Sequence, residues 1–366
     1  MQFVPAHSIF TDLYKVSHFT QYPMESRRFT RFWSPVEVQY ILVPNNQKTM
    51  KRIITLLFVT FFICTSLPLL LAQEVIPSTA EVKGYKLVGG VTPEVKHIGW
   101  KYDALHRDFF VPVGFDYSEH PHSSGPAGHM DGVHLAVIHD EALNKPVFRF
   151  DIHITLVIDG DRGSAGDRQR NELKTSHTNR DWRDLLNGQQ DKWQLLEWKM
   201  MIPKDWQPTP NFCHIHQIKA QDGPNNGSPI ITITLRANRD GSNKRLHVEH
   251  NSEGGSGRSL GTLAQAPLSE FEDEWVHIEQ EMHFRHNGFF SIKITRIRDG
   301  KVLLTAERDN IDMYRREATV LRSKHGIYRS LAGGNIGRNV PPNPLLKNES
   351  LYLCDFLVYE KEGKLK

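Results

Sequence analysis

A chain of 366 residues, 24% charged and 39% hydrophobic, has the make-up of a globular protein large enough to bury its own core. Its formal charge of +3 sets up no broad basic field, which excludes nucleic acid as an expected partner. Three cysteines over this length exclude a fold framed by disulfides.

The first patterned stretch opens at Met50-Lys51-Arg52 and continues through an apolar run from Ile53 to Cys64, then Leu67 to Ala72. A short basic start, an apolar middle and a small residue at the end describe a secretory signal over residues 50–72. Pro68 interrupts the run and no basic cluster follows, which argues against a membrane anchor. Because such a signal belongs at the very N-terminus, residues 1–49 read as the product of a start placed too far upstream, or as an unusual leader. The remainder, 73–366, is expected to be one secreted or periplasmic domain, monomeric and free of the membrane once the signal is removed. Cys64 falls in the signal, and Cys213 and Cys354 read as buried thiols whose pairing the spacing does not determine.

From about Val75 onward the chain alternates apolar and polar residues, as in Phe148-Arg149-Phe150-Asp151-Ile152-His153-Ile154, the pattern of a strand with one buried face. Similar runs span Val133 to His139, Leu195 to Ile202, Ile230 to Leu235, Arg245 to His250, Trp275 to Phe284, Phe289 to Ile297, Val302 to Ala306 and Leu351 to Tyr359. Asp240-Gly241-Ser242-Asn243, His286-Asn287-Gly288 and Asp299-Gly300 supply hairpin chemistry between them. One short helix is expected near Asp181 to Leu186. Many strands, tight turns and little helix predict an all-β jelly-roll sandwich of two antiparallel sheets, of the concanavalin A-like kind.

Three stretches carry chemistry. Arg170-Asn171-Glu172-Leu173-Lys174 alternates basic, acidic and basic side chains on one strand face, a pattern that a solvated charge ladder also explains. In Cys213-His214-Ile215-His216-Gln217, regular alternation puts His214 and His216 on the same side of a sheet. Lys324-His325-Gly326-Ile327-Tyr328-Arg329-Ser330 follows near the end; taken alone, Tyr328 there also reads as a core tyrosine.

The order of these blocks resembles the β-jelly-roll polysaccharide lyases, the alginate lyases of polysaccharide lyase family 7 and the related heparin-lyase-like group. Their patterns are Arg-Ser/Thr-Glu-Leu/Val-Arg, Gln-Ile/Val-His and Tyr-Phe-Lys-Ala-Gly-x-Tyr-x-Gln. Arg170, Glu172 and Leu173 match the first, Ile215 and His216 the second, and Lys324, Gly326 and Tyr328 the third. Lys174 stands where the second arginine is expected, His214 where a glutamine is, and Ser330 where the last glutamine is.

The resemblance implies cleavage of a 4-linked uronic acid polysaccharide by β-elimination. Removing the proton beside a charged carboxylate requires that carboxylate to be neutralised, a task for the Arg170 fork with His214 donating alongside. His216 or Tyr328 then serves as base, and Tyr328 as the acid for the leaving oxygen. Glu172 orients Arg170, and Lys174, Lys324 and Arg329 complete a substrate-binding set for an acidic polymer. No cofactor is required. Asp159, Asp161 and Asp167 have the oxygen ligands for calcium, though Asp-Gly turns account for them equally. His120, His122, His129, His134 and His139 are too irregularly spaced for a zinc motif. Gly333-Gly334-Asn335-Ile336-Gly337 reads as a lip beside the cleft rather than a phosphate loop.

Two other functions fit a sandwich. A glycoside hydrolase would use paired carboxylates, which Glu270, Glu272 and Glu274 imitate, and a non-catalytic carbohydrate-binding module would need neither.

Overall fold

The computed structural model describes residues 80, 83–121, 133–155, 158–161, 166–176, 185–252 and 259–361. The stretches read as a leader (1–49) and a signal (50–72), together with His122 and His129, lie outside these residues, as does most of the helix expected near Asp181. Among the described residues no helix is long and apolar enough to cross a membrane.

Two antiparallel sheets face each other. One holds β13-β12-β11-β6-β15-β4-β3 in that order, with β1 (Lys86–Val91) pairing to β15; the other holds β10-β9-β8-β7-β14-β5-β2. In the first, β3 is Leu135–Asp140, β4 Lys145–Ile152, β6 Trp193–Met201 and β11 Val276–His283. It is completed by β12 (Gly288–Arg296), β13 (Val302–Ile311) and β15 (Glu349–Lys361). In the second, β2 is Phe115–Glu119, β5 Arg168–Thr175, β7 Cys213–Ala220 and β8 Ile231–Arg236. Its remaining strands are β9 (Arg245–His250), β10 (Gly261–Pro267) and β14 (Leu321–Ser330).

The inward residues of both sheets form one core. Trp198, Ile278 and Phe356 come from the first sheet and Leu173, Ile233 and Ile327 from the second, all nearly inaccessible. This is the expected jelly-roll sandwich, and the three predicted turns each join the strands they separate. Among the described residues the helical turns are short, at Val95–His97, from Tyr102 to Val113, at Leu268–Glu270 and at Ile336–Arg338.

Cys213 and Cys354 are free and buried in separate clusters, and burial pushes the Cys213 thiol up to about 12. Both behave as packing residues rather than nucleophiles.

The central strands of the seven-stranded sheet bring the three sequence blocks side by side. β14 runs between β5 and β7, so that Tyr328 lies opposite Arg170 on one side and His214 on the other. Gly326 opposes Glu172 with φ +136°, and a Cβ there would sit 2.2 Å from the Asn171 carbonyl oxygen. Only glycine lets β14 approach β5 this closely.

Candidate active site

Alternation along β5 turns Arg168, Arg170, Glu172 and Lys174 to the outer face of the seven-stranded sheet, while Leu173 joins the core. On β14, Tyr328 and Lys324 share that outer face. An irregularity in β2 between Asp116 and Glu119 brings both of these carboxylates to it as well.

The buried part of this face is a charge cluster. Glu119, 4% exposed, accepts from Arg170 Nη1 at 2.7 Å, from Lys174 Nζ at 2.9 Å, and closely from Lys324 Nζ. Glu172 accepts from Arg170 Nη1 at 2.9 Å and closely from the Gln217 amide. Asp161 takes the other edge of the guanidinium, from Nε at 2.7 Å and Nη2 at 3.1 Å.

These contacts revise three expectations. Both edges of Arg170 are occupied by carboxylates, so no two-pronged clamp is left for a substrate; its guanidinium instead lies 3.8 Å from the centroid of the Tyr328 ring and props it in place. Lys174 and Lys324 are spent neutralising Glu119 and add little charge to a groove. Arg329 is fully buried, its Nε donating to Gln169 Oε1 at 2.8 Å and its Nη2 to the Lys347 carbonyl at 2.8 Å, so it is a core residue rather than a substrate contact. Glu172 lies against Arg170, accepting from its Nη1 at 2.9 Å.

The histidine doublet is divided. Between its partners to Tyr328 and His325, β7 has one intervening residue, Ile215, where β14 has two, Gly326 and Ile327; against β8, Ile215 is itself the extra residue. Such an irregularity breaks alternation, so His214 stays on the outer face beside Tyr328, while His216 points between the sheets. There His216 is 1% exposed, its ring 4.6 Å from that of Trp198 and its Nε2 3.2 Å from Gln280 Nε2, both residues of the facing sheet. Its Nδ1 lies 3.3 Å from that of His325. The expectation that His216 reaches the same groove as His214 fails for this reason.

Replacing His216 by alanine is therefore expected to lower stability by about 2–4 kcal/mol through a core cavity and stranded polar partners. Turnover per folded molecule should stay within a few fold, as read from urea unfolding alongside initial rates. A large loss of turnover at unchanged stability would return His216 to the chemistry.

What remains around Tyr328 is compact. Arg168 Nη1 donates to the Tyr328 oxygen at 2.9 Å, while Asp167 holds the other Arg168 edge at 2.6 and 2.9 Å. His214 stacks on Phe212, 5.1 Å between centroids, and lies 6.0 Å from the Tyr328 ring; its Nδ1 has no hydrogen-bond partner. Burial, and then Arg236 and Arg170, lower its pKa to about 3, so the imidazole is neutral in ordinary buffers. Burial raises the Tyr328 phenol, with Arg170 and Arg168 pulling the other way.

Farther along β7, Lys219 donates to the carbonyls of Asn226 and Gly227. Burial first, then repulsion from Lys324, Arg170 and Arg322, lowers it to about 8. Arg168, Gln217, Lys219 and Glu119 went unnoticed in the sequence. Only Arg168, two residues before Arg170 on the same strand face, carried a readable signal.

The other candidates separate. Asp159 faces His134 at 2.9 Å, Asp161 holds Arg170 and Asp167 holds Arg168, so the three aspartates do not form one calcium cage. His120 stacks on Tyr117, and His139 lies 3.9 Å from Glu141. Glu270 is tied to Lys301 at 3.0 Å and Glu274 to Arg298 at 2.9 Å, so neither offers the free pair that a hydrolase requires. The glycine-rich stretch ends in a short turn at Ile336–Arg338. On the other sheet, a cleft lined by Lys83, Glu279, Glu281 and Lys293 has its acids and bases paired with one another.

No protein-family profile and no curated protein matches the chain. Among solved structures it is similar to an endo-β-1,4-glucuronan lyase from the fungus Trichoderma reesei, at 13% identity over 75% of this chain and 95% of that one, with a TM-score of 0.42. It is also similar to a PL-14 alginate lyase from Aplysia kurodai, at 12% identity over 75% and 98%, TM-score 0.44. An alginate lyase from Klebsiella pneumoniae aligns at 13% identity over 63% and 85%, TM-score 0.40.

Proposed function

We propose that this chain is a polysaccharide lyase that cleaves a 4-linked uronic acid polymer by β-elimination on the outer face of the seven-stranded sheet. The observation that carries the reading is the meeting of Tyr328, Arg168 and His214, a phenol, a guanidinium and a neutral imidazole. The three sequence blocks in lyase order support the same reading.

In this mechanism the His214 imidazole takes the proton from C5 and the C4–C5 double bond forms. The C4–O4 bond breaks as Tyr328 gives its proton to O4. Arg168, donating to the phenol oxygen, stabilises the phenolate that remains; after product leaves, the imidazolium gives its proton to solvent and the phenolate takes one back. Arg168 places positive charge beside the phenol, where the uronate carboxylate has to be neutralised before C5 becomes acidic.

Elimination leaves an unsaturated sugar that absorbs in the ultraviolet; hydrolysis and simple binding do not. Incubating the protein with a panel of uronate polymers is expected to give rising absorbance with at least one. Flat absorbance with all of them, alongside release of reducing ends from another glycan, overturns the reading.

Lys219 lies five residues from His214 along β7, about 16 Å at strand rise. It fits a carboxylate on a neighbouring sugar rather than the one being cleaved. Because its pKa is lowered to about 8, it is charged below that pH and neutral above. The expected result is a KM for the polymer that climbs as pH rises through about 8, and Lys219→Gln should flatten that climb while raising KM at neutral pH.

A further inference from the structure

We propose that His134, His153 and Asp159 form a binding site for one divalent transition-metal ion of the zinc type, distinct from the groove around Tyr328. Their candidate ligand atoms all lie within 4.8 Å of one another. His134 Nε2 is 2.9 Å from Asp159 Oδ1 and 3.3 Å from His153 Nδ1, and His153 Nδ1 is 3.2 Å from Asp159 Oδ2. A tetrahedral ion with bonds of 2.0–2.1 Å needs ligand atoms about 3.3 Å apart. Each imidazole nitrogen thus faces one oxygen of the same Asp159 carboxylate at close to that spacing, and the two nitrogens are 3.3 Å apart, so the three side chains can close on one ion. Nitrogen with one hard oxygen suits zinc and its first-row neighbours rather than calcium or magnesium.

The backbone that carries these ligands is fixed before any ion arrives. The His153 peptide N–H donates to Asp159 Oδ2 at 2.6 Å, and the Asp159 N–H donates to the His153 carbonyl at 3.0 Å. The Gln169 side-chain amide donates to the same carbonyl at 2.7 Å. Behind His134, its carbonyl accepts from the Asn171 side chain at 2.6 Å and from the Asp151 N–H at 2.9 Å. Outer contacts of this kind hold metal ligands in register. The His134 and Asp159 side chains are inaccessible, whereas that of His153 is 28% exposed, which leaves one approach for the ion and for a water as its fourth ligand.

The site bears on the groove through the chain. Two residues beyond Asp159, Asp161 grips Arg170, and its N–H donates to the Arg168 carbonyl at 3.2 Å. An ion at Asp159 would anchor the segment that holds both arginines beside Tyr328, a positioning role with no part in proton transfer.

The test uses the full chain, stripped with chelator and dialysed, then titrated with zinc chloride and separately with cobalt chloride. The expected results are one equivalent of metal by elemental analysis, visible cobalt absorption of the tetrahedral type, and a higher Tm with zinc. His153→Ala, at the most exposed ligand, should weaken binding on the order of 100-fold and abolish the cobalt spectrum. Absence of a one-to-one uptake by the wild-type chain overturns the proposal without recourse to any variant. Uptake that His153→Ala leaves unchanged overturns it too, since the ion is then held elsewhere. None of these readings depends on whether the chain cleaves a uronate.

Discussion

Tyr328→Phe is expected to abolish detectable turnover of a uronate polymer, a loss of about 10²–10⁴ for a single proton-transfer group, while the protein stays folded. Arg168 donates directly to the phenol oxygen at 2.9 Å, and the tyrosine ring already rests on the Arg170 guanidinium, a contact that phenylalanine keeps. Removing one oxygen therefore takes away the acid proposed above without removing the packing that positions the ring. Initial rates by ultraviolet absorbance, with urea unfolding as the control, measure both. A variant with near-normal rates would remove Tyr328 from the chemistry, and with it the reading of the groove.

Glu119→Ala is expected to cost about 3–5 kcal/mol of stability, because it leaves buried cations without their shared partner. Burial by itself would raise this carboxyl, but Lys324, Arg170 and Lys174 together outweigh that and hold it far below the usual carboxylate range. The sign of the pH effect follows. A depressed folded pKa contributes stability that is fully present above the unfolded value of about 4.3 and is lost as pH falls through the folded one. The wild-type chain should thus lose stability steeply on acidification below about pH 4, and Glu119→Ala should show a lower plateau at neutral pH with a shallower acid limb. Urea midpoints measured across pH 2–7 report both features, and equal plateaus for the two proteins would show that Glu119 is not the anchor of the cluster.

Much of the fold was readable from periodicity. β9 was predicted with its observed bounds, Arg245–His250, because alternation there is clean and an Asp-Gly turn marks its start. β1, β2 and β10 were missed. Phe115–Glu119 is only five residues with a built-in irregularity, and Gly261–Pro267 begins with a glycine and ends with a proline, neither of which gives a period to detect.

At the site the limit was different. Sequence reasoning placed Tyr328 beside Arg170, but assigned both histidines to one face because it assumed a regular strand. The broken register around Ile215 depends on how β8 and β14 pair with β7, which no local pattern in Cys213–Ala220 encodes. Glu119 was equally invisible, since it reaches Arg170 from 51 residues away. Asp161 was noticed for the wrong reason, as an oxygen donor for calcium rather than the grip on a guanidinium.

The charge cluster under Tyr328 also separates two properties that polyanion-binding proteins usually lose together. Its ion pairs are out of reach of mobile ions, so added electrolyte screens them weakly, whereas the more accessible Arg168 and the lysine farther along β7 lie where screening acts over about 8–10 Å. On the proposed reading, raising ionic strength should loosen the hold on a charged polymer long before it loosens the protein itself, so a brine that empties the groove still leaves the sheet beneath it standing.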